Sequence, residues 1–123
     1  MKLADLHQEI IVALEKGDFV GPIEKFYAPD VVVRRNNEAP AHGRDAIAAA
    51  ESEYVKGVTA FHGIRVLATA VDDHGDGNGT VFYEVEMHWE HTGTPKVDVH
   101  QAVVERWENG KIAAIRFYGD VTL

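Results

Sequence analysis

The chain carries several side chains that could hold an organic ligand or move a proton. His62 lies at the start of a predicted strand, where a histidine could titrate near neutral pH and act as a general acid or base. The alternative is a histidine that is bonded to a backbone carbonyl. Tyr27 and Tyr54 lie on predicted helices, where a phenol could bind a ligand oxygen or could pack as an ordinary amphipathic side chain. Each of these residues therefore has both a functional and a structural interpretation.

Two adjacent arginines are a second candidate for ligand binding. Arg34 and Arg35 directly follow Val31, Val32 and Val33, a β-branched run that predicts a buried strand. The planar guanidinium group matches a carboxylate in a bidentate contact, so the two arginines could clamp an acidic ligand. The alternative is a strand end that is simply solvated.

Histidines and an aspartate also gather in one predicted hairpin, but they do not predict a metal site. The cluster consists of His88, His91, Asp98 and His100. His88 and His91 point to opposite faces of a strand, and no standard zinc spacing is present. We therefore expect neither a metal nor another cofactor.

The composition narrows the classes of partner. The 123 residues carry a formal charge of -8, which disfavours both a nucleic-acid surface and an anionic membrane surface. The chain has no cysteine, which excludes disulfides, thiolate metal sites and cysteine nucleophiles. A cysteine-free chain is typical of a reducing compartment, so we expect a cytoplasmic location. The length predicts a single domain over residues 1–123.

The N-terminal half predicts three helices that would position these side chains. Apolar residues recur at helical spacing from Leu3 to Leu14, and Gly17 ends that helix. A short second helix is expected over residues 22–27, and a third over residues 44–56. A short strand at residues 31–33 separates the second helix from the third.

After Gly57 the apolar pattern changes from a period of 3.6 to a period of 2, which predicts strands. The expected strands cover residues 61–71, 80–91, 96–107 and 111–121. Asn109-Gly110 between two alternating strands is a strong hairpin signal, and short hairpins join antiparallel neighbours. Helices first and a strand meander afterwards predict an α+β domain with the helices on one face of a curved sheet.

Strand alternation predicts which residues face the core. The expected inward pairs across the hairpin centred on Gly93 are Trp89–Val97, Met87–Val99 and Val85–Gln101, and the outward pairs are His88–Asp98 and Glu86–His100. Gln101 is then a polar residue on an apolar face. It is either a core glutamine bonded to backbone or water, or an amide that orients a ligand.

The order of these elements and four short motifs resemble a known family. The motifs are FYAPDVVV, the helix start GRDAI, WENGKI and FYGD. They resemble the SnoaL-like branch of the nuclear transport factor 2-like superfamily over almost the whole chain. The resemblance implies a cone, in which a strongly curved, mostly antiparallel sheet wraps around an apolar cavity and three helices close the wide end. It also implies a homodimer formed through the outer face of the sheet.

The ketosteroid isomerase pattern of that superfamily is not matched. It needs a tyrosine on the first helix, an aspartate base after the first strand and a protonated aspartate on the penultimate strand. The shared landmarks place Ile10, Arg35 and Val103 at these positions. None of these side chains can abstract a proton from carbon or donate one to an enolate.

Two other patterns of the superfamily are matched only in part. A limonene-epoxide-hydrolase site needs two carboxylates and an arginine; Lys96 and Asp98 match part of the spacing, but Phe117 replaces the acid of the final strand. A SnoaL cyclase site needs an acid on the last strand for aldol-type proton transfer. Asp120 could be that acid only if its side chain turns inward.

The facing of the last strand has two solutions. A regular two-residue turn before it would turn Arg116 and Asp120 inward. Alignment with the family instead suggests a bulge, which turns Ile115 and Phe117 inward and leaves the two charged residues outside. The apolar character of Ile115 and Phe117 favours the bulge.

The sequence supports two hypotheses about function. The first is a protein that binds a small apolar, polyketide-like or steroid-like ligand in the cone, with isomerase-, cyclase- or hydrolase-type acid–base chemistry left open. Its candidate catalytic residues are His62, Gln101 and Asp120. The expected ligand contacts are Tyr27, Tyr54, His62, Val85, Met87, Trp89, Val99, Gln101, Val103 and Phe117. The second hypothesis is a non-catalytic dimeric binding or interaction module whose cavity is filled by side chains.

Overall fold

A computed structural model of the chain describes residues 1–94 and 96–120. The helices in this part are α1 (Leu3–Glu15), α2 (Gly21–Phe26) and α3 (Arg44–Val55). The strands are β1 (Tyr27–Arg35), β2 (Ala41–His42), β3 (Val58–Gly75), β4 (Asn78–His91), β5 (Val97–Glu108) and β6 (Lys111–Gly119). None of the described helices is long and apolar enough to cross a membrane.

The strands form one six-stranded sheet in the order β2-β1-β6-β5-β4-β3. The β1–β6 pair is parallel, and the other neighbours are antiparallel. Several bulges interrupt the pairing of β3 with β4, and bulges bend the strands that carry them. The sheet is curved but not closed into a barrel, and α1 packs on β3 and β4 while α3 packs on β1. The predicted α+β fold is confirmed.

The core lies between the helices and the inner face of the sheet. Residues alternate between buried and exposed along β4 and β5, as expected for strands with one solvated face. The predicted register is confirmed for the pairs Trp89–Val97, Met87–Val99, Val85–Gln101, His88–Asp98 and Glu86–His100.

The hairpin between β3 and β4 is tighter than predicted. The predicted strands, 61–71 and 80–91, leave an eight-residue connection over residues 72–79. In the structure, β3 continues to Gly75 and β4 begins at Asn78. Asp76 and Gly77 form the turn with φ values of 56° and 78°. Positive φ at both central residues gives a turn whose twist matches paired strands, so the long hairpin can continue to its tip.

The first strand is longer than the three valines that predicted it. Helix α2 ends at Phe26, so Tyr27 begins β1 instead of ending the helix. Pro29 lies inside β1, where it is exposed. It is tolerated because β2 pairs only with Val32 and Val33, which leaves β1 with a free edge at the proline.

The last strand, β6, has both the two-residue turn and the bulge that the sequence analysis gave as alternatives. A two-residue turn pairs Trp107 with Ile112, and a bulge then shifts the register so that Glu105 pairs with Ile115. Beyond the bulge, Ile115 and Phe117 face the core side, as the family alignment suggested. The strand ends at Gly119, and the predicted final residue at position 121 lies outside the described residues.

Candidate functional site

An apolar cavity of about 150 Å³ lies between the sheet and the three helices. Its helical wall is formed by Ile10, Leu14, Pro22 and Ile23, and its sheet wall by Met87, Trp89, Val99, Ile112, Ile115 and Phe117. Phe19, in the loop after α1, also lines it and lies 5.9 Å from the Trp89 ring, centroid to centroid. Leu14, Phe19 and Phe117 are only partly buried, so the cavity is not sealed from solvent.

Arg35 brings a positive charge into this cavity from the end of β1. It follows Val31 and Val33 on the inward-facing side of the strand and pairs with Phe117 of β6. Its Nε is buried and has no hydrogen-bond partner in the described part of the chain. The adjacent Arg34 points away, and its Nε donates to the carbonyl oxygen of Glu38 at 3.0 Å.

Glu51, on α3, also lines the cavity. Burial raises the pKa of its carboxyl group above the ordinary value, and the charge of Arg35 lowers it by a smaller amount. Among residues 1–94 and 96–120, no carboxylate oxygen lies within 4.0 Å of an Arg35 nitrogen. Arg35 and Glu51 therefore share one cavity without forming a direct ion pair.

Glu105, on β5, supplies a second carboxylate to the cavity lining and is only 1% exposed. Its Oε1 lies 3.2 Å from Nδ1 of His7 and accepts a hydrogen bond of 3.2 Å from Nε1 of Trp107. His7 is 4% exposed and reaches this carboxylate from α1. A buried carboxylate with two partners is consistent with the rule that buried charges are paired and hydrogen-bonded.

Two buried tyrosines stand beside Glu105. Burial and then the negative charge of Glu105 raise the pKa of both Tyr27 and Tyr83. A hydrogen bond to Glu105 adds to the effect on Tyr83. Both phenols are therefore protonated donors at neutral pH, which places hydroxyl groups in the cavity lining beside Arg35 and Glu51.

Tyr54, on α3, is held by two contacts. Its hydroxyl accepts a hydrogen bond of 3.0 Å from Nε1 of Trp89, and its ring stacks on His91 at 4.3 Å. The same histidine lies 2.9 Å from the Tyr54 carbonyl oxygen through Nε2. The pair fixes Tyr54 and Trp89 in the cavity wall, which explains why a tyrosine at this helix position is partly buried.

Most of the predicted ligand contacts lie in the cavity lining. They are Tyr27, Tyr54, Met87, Trp89, Val99, Gln101 and Phe117. Gln101 is buried at 6% exposure, in register between Val85 and Gly119. Val85 and Val103 are buried in the core and are not among the residues that line the cavity.

The structure does not bring His62 or Asp120 to the cavity. His62 is exposed, and its Nε2 lies 2.7 Å from Oε2 of Glu90 on the outer face of the sheet. It points outward because Phe61, the preceding residue, packs against the core. Asp120 is exposed directly after the last residue of β6, and its backbone N–H donates to the carbonyl oxygen of His100 at 3.1 Å.

The sequence-based predictions did not include the acidic side chains of the cavity. Tyr83 and Glu105 share strand parity with Val85 and Gln101, so the alternation that identified Gln101 could also have identified them. No comparable pattern points to Glu51. It lies on α3, and none of the residues of that helix is fully buried. Its place in the cavity follows from how α3 packs on β1.

The outer face of the sheet carries cross-strand histidine–carboxylate pairs. His88 Nδ1 lies 2.7 Å from Asp98 Oδ1, and His100 Nε2 lies 2.7 Å from Glu84 Oε2. Hydrogen bonds raise the pKa of His100 and lower that of Asp98. Over residues 1–94 and 96–120, no group of three or more histidine or acidic side chains is arranged to hold a metal ion.

Solved structures with the same fold come from several bacteria. A candidate SnoaL-like polyketide cyclase from Mesorhizobium loti is 21% identical, with a TM-score of 0.68 over 96% of this chain and 99% of that one. A candidate isomerase from Bacillus subtilis is 15% identical, with a TM-score of 0.72 over 95% and 85% of the two chains. A candidate polyketide cyclase from Pseudomonas putida is 17% identical, with a TM-score of 0.68 over 98% and 93%. At these identities the similarity establishes the fold alone.

No curated protein matches the chain significantly in sequence. The family model described as the SnoaL-like domain matches residues 7–115, which run from within α1 to the middle of β6. The cavity described above is built almost entirely from residues within this range. The chain belongs to the SnoaL-like domain family.

Proposed function

We propose that this protein binds a small, mainly apolar organic molecule in the cavity between the helices and the sheet. The observation that carries the proposal is an apolar cavity that also contains Arg35, Glu51 and Gln101. Ligand sites are commonly concave and apolar, with a few polar groups that fix the orientation of the ligand. A cavity filled by side chains, as the alternative hypothesis requires, would not leave this volume empty.

The volume limits the size of the ligand. A cavity of roughly 150 Å³ holds a ring the size of benzene. A polyketide-like or steroid-like ligand with several fused rings would have to extend out past the partly buried Leu14, Phe19 and Phe117. A ligand with a single ring fits the space as it stands, with its polar group directed at the charged residues.

Acid–base chemistry is the activity that the charged residues would support. Glu51 has a raised pKa, which makes a glutamic acid a better proton donor near neutral pH than an exposed glutamate. Arg35 would stabilise negative charge that develops on a ligand oxygen. Isomerase-, cyclase- and hydrolase-type reactions all require acid–base groups, and the type of reaction stays open.

Native mass spectrometry of the purified protein, before and after denaturation, tests the proposal. We expect a co-purified molecule of low mass that is released on unfolding. Single-ring alcohols added at millimolar concentration should also raise the melting temperature. A protein that carries no such molecule and gains no stability from any of these alcohols would contradict the proposal.

A second candidate function, a dimeric interaction module, is favoured by the outer face of the sheet. Phe82 and Tyr118 are 44% and 41% exposed, and the register places Phe82 beside Val104 and Tyr118 beside Ala102. These four residues form an apolar strip across β4, β5 and β6. We propose that a second copy of the chain covers this strip, which would make the protein a homodimer with or without a ligand.

A further inference from the structure

Arg35 brings an unpartnered donor to the cavity lining. Its buried Nε has no hydrogen-bond partner in the described part of the chain. Arg116, on the neighbouring strand, shows the contrast: its Nε and Nη2 donate to the carbonyl oxygen of Asn36 at 3.1 and 2.8 Å. A buried donor without an acceptor is unfavourable, so an acceptor that enters the cavity would be stabilised by the Arg35 side chain.

The charges around Arg35 leave room for an anion. Burial raises the pKa of Glu51, one of the two acidic groups in the cavity lining, and in its protonated form this group donates a hydrogen bond. The other carboxylate, Glu105, already interacts with His7, Trp107 and Tyr83. Among the described residues that line the cavity, an entering anion therefore meets the positive charge of Arg35, while the carboxylate of Glu105 already interacts with neighbouring side chains.

The shape of the guanidinium group favours one class of anion. Arginine presents parallel N–H donors that match the two oxygens of a carboxylate, and such charge-assisted pairs are about twice as strong as neutral hydrogen bonds. The rest of the space is apolar and of the size of one ring, bounded by Met87, Val99 and Ile115. A phosphate ester would need more donors and would place two charges beside Glu51 and Glu105.

We propose that the ligand is a single-ring carboxylic acid, held as its carboxylate by Arg35 with its ring against Met87, Val99 and Ile115. The inference rests on the proposed binding function and adds the chemical class of the ligand to it. The carboxylate occupies the open donors of Arg35, and the hydroxyl of Tyr27 and the amide of Gln101 lie in the same lining. The ring replaces water in the apolar part of the cavity.

Isothermal titration calorimetry with three probes of similar size tests the inference. Benzoate carries the carboxylate, whereas benzamide and benzyl alcohol are neutral compounds with the same ring. We expect benzoate to bind at least about tenfold more tightly than either neutral compound, because charge-assisted hydrogen bonds are stronger than neutral ones. Arg35→Met should remove this preference, and Arg34→Met should preserve it because Arg34 points away from the cavity.

The outcomes separate the inference from the function on which it rests. If a neutral compound binds as tightly as benzoate, the carboxylate inference is wrong and the apolar binding function stands. If none of the three binds, both are contradicted. Should Arg35→Met fail to fold, Arg35→Lys is the second variant. Lysine keeps the positive charge but lacks the two parallel N–H donors, so we expect a reduced preference for benzoate. An unchanged preference in a folded Arg35 variant would also overturn the inference.

Discussion

His7 and Glu105 meet in the core although 98 residues separate them, with Nδ1 of His7 lying 3.2 Å from Oε1 of Glu105. The contact joins α1 to β5, an inner strand of the sheet, at the lining of the cavity. An ionised carboxylate only accepts hydrogen bonds, so a hydrogen bond between the two groups in that form requires the proton on Nδ1. The buried Nε2 of His7 has no partner in the described residues, so Glu105 is the only polar contact that orients this ring.

We expect Glu105→Gln to lower the free energy of unfolding by about 1–3 kcal/mol, because an amide cannot satisfy all the donors that converge on the carboxylate. The measurement is equilibrium urea denaturation. Glu108→Gln is the matched control, since Glu108 is exposed on the same strand and its replacement should change stability by less than about 0.5 kcal/mol. Equal changes in the free energy of unfolding for the two substitutions would show that the buried contacts of Glu105 do not stabilise the fold.

Glu51→Gln should increase stability at high pH. The folded-state pKa of Glu51 is raised, so its carboxyl group favours the folded state at low pH, and this contribution is lost as pH rises through the folded pKa. The amide does not ionise, so the variant should gain stability relative to the unaltered protein as pH increases. Melting temperatures across a pH series measure this difference.

Glu53→Gln is the control for that pH series. Glu53 lies on the same helix but is exposed, and its Oε2 contacts Lys56 at 3.0 Å. At each pH, the melting-temperature difference for Glu51→Gln is compared with that for this variant, which carries the same type of substitution. If the difference for Glu51→Gln were independent of pH, or shrank as pH rose, the raised pKa would be refuted.

Gln101→Met should separate the two interpretations of this buried amide. If Gln101 orients a ligand, its replacement should leave the ligand-free protein equally stable, or more stable by up to about 1 kcal/mol. The affinity for the ligand should then fall about tenfold. A core glutamine satisfied by the protein itself would give the reverse, with a loss of stability and unchanged affinity. Urea denaturation and calorimetry on the same preparation provide both values.

Phe82→Glu should convert a dimer into a monomer, because it introduces a charge into the apolar strip of the outer face. Size-exclusion chromatography with light scattering measures the mass. Val12→Glu is the control, since Val12 is 38% exposed on α1 and lies outside the strip. A protein that is monomeric without substitution, or a dimer that survives Phe82→Glu, would contradict assembly through this face.

The strands could be predicted well because their chemistry alternates residue by residue. Apolar residues such as Met87 and Val99 alternate with charged residues such as Glu86 and His100, and a register slip would have buried the charges. The bulge in β6 was predictable for the same reason, because only an irregularity turns both Ile115 and Phe117 inward.

The site was harder to predict because its charges converge only in three dimensions. Arg35 and Glu51 lie on β1 and α3, and no local pattern shows that these elements face one another across a cavity. Strand parity would have excluded His62, since Phe61 beside it packs inward. The imidazole of His62 suggested a general acid or base, but this side chain lies outside the cavity.

The most direct test of the central claim is a methyl-NMR titration with benzyl alcohol, which probes apolar binding without the carboxylate. We expect saturable shifts at Met87, Val99 and Ile115, which line the cavity, and none at Val104, on the outer face. Val99→Phe, which fills the cavity, should abolish the shifts, whereas Val104→Phe should not. Shifts that never saturate, or that appear equally at Val104, would contradict a ligand-binding cavity in this protein.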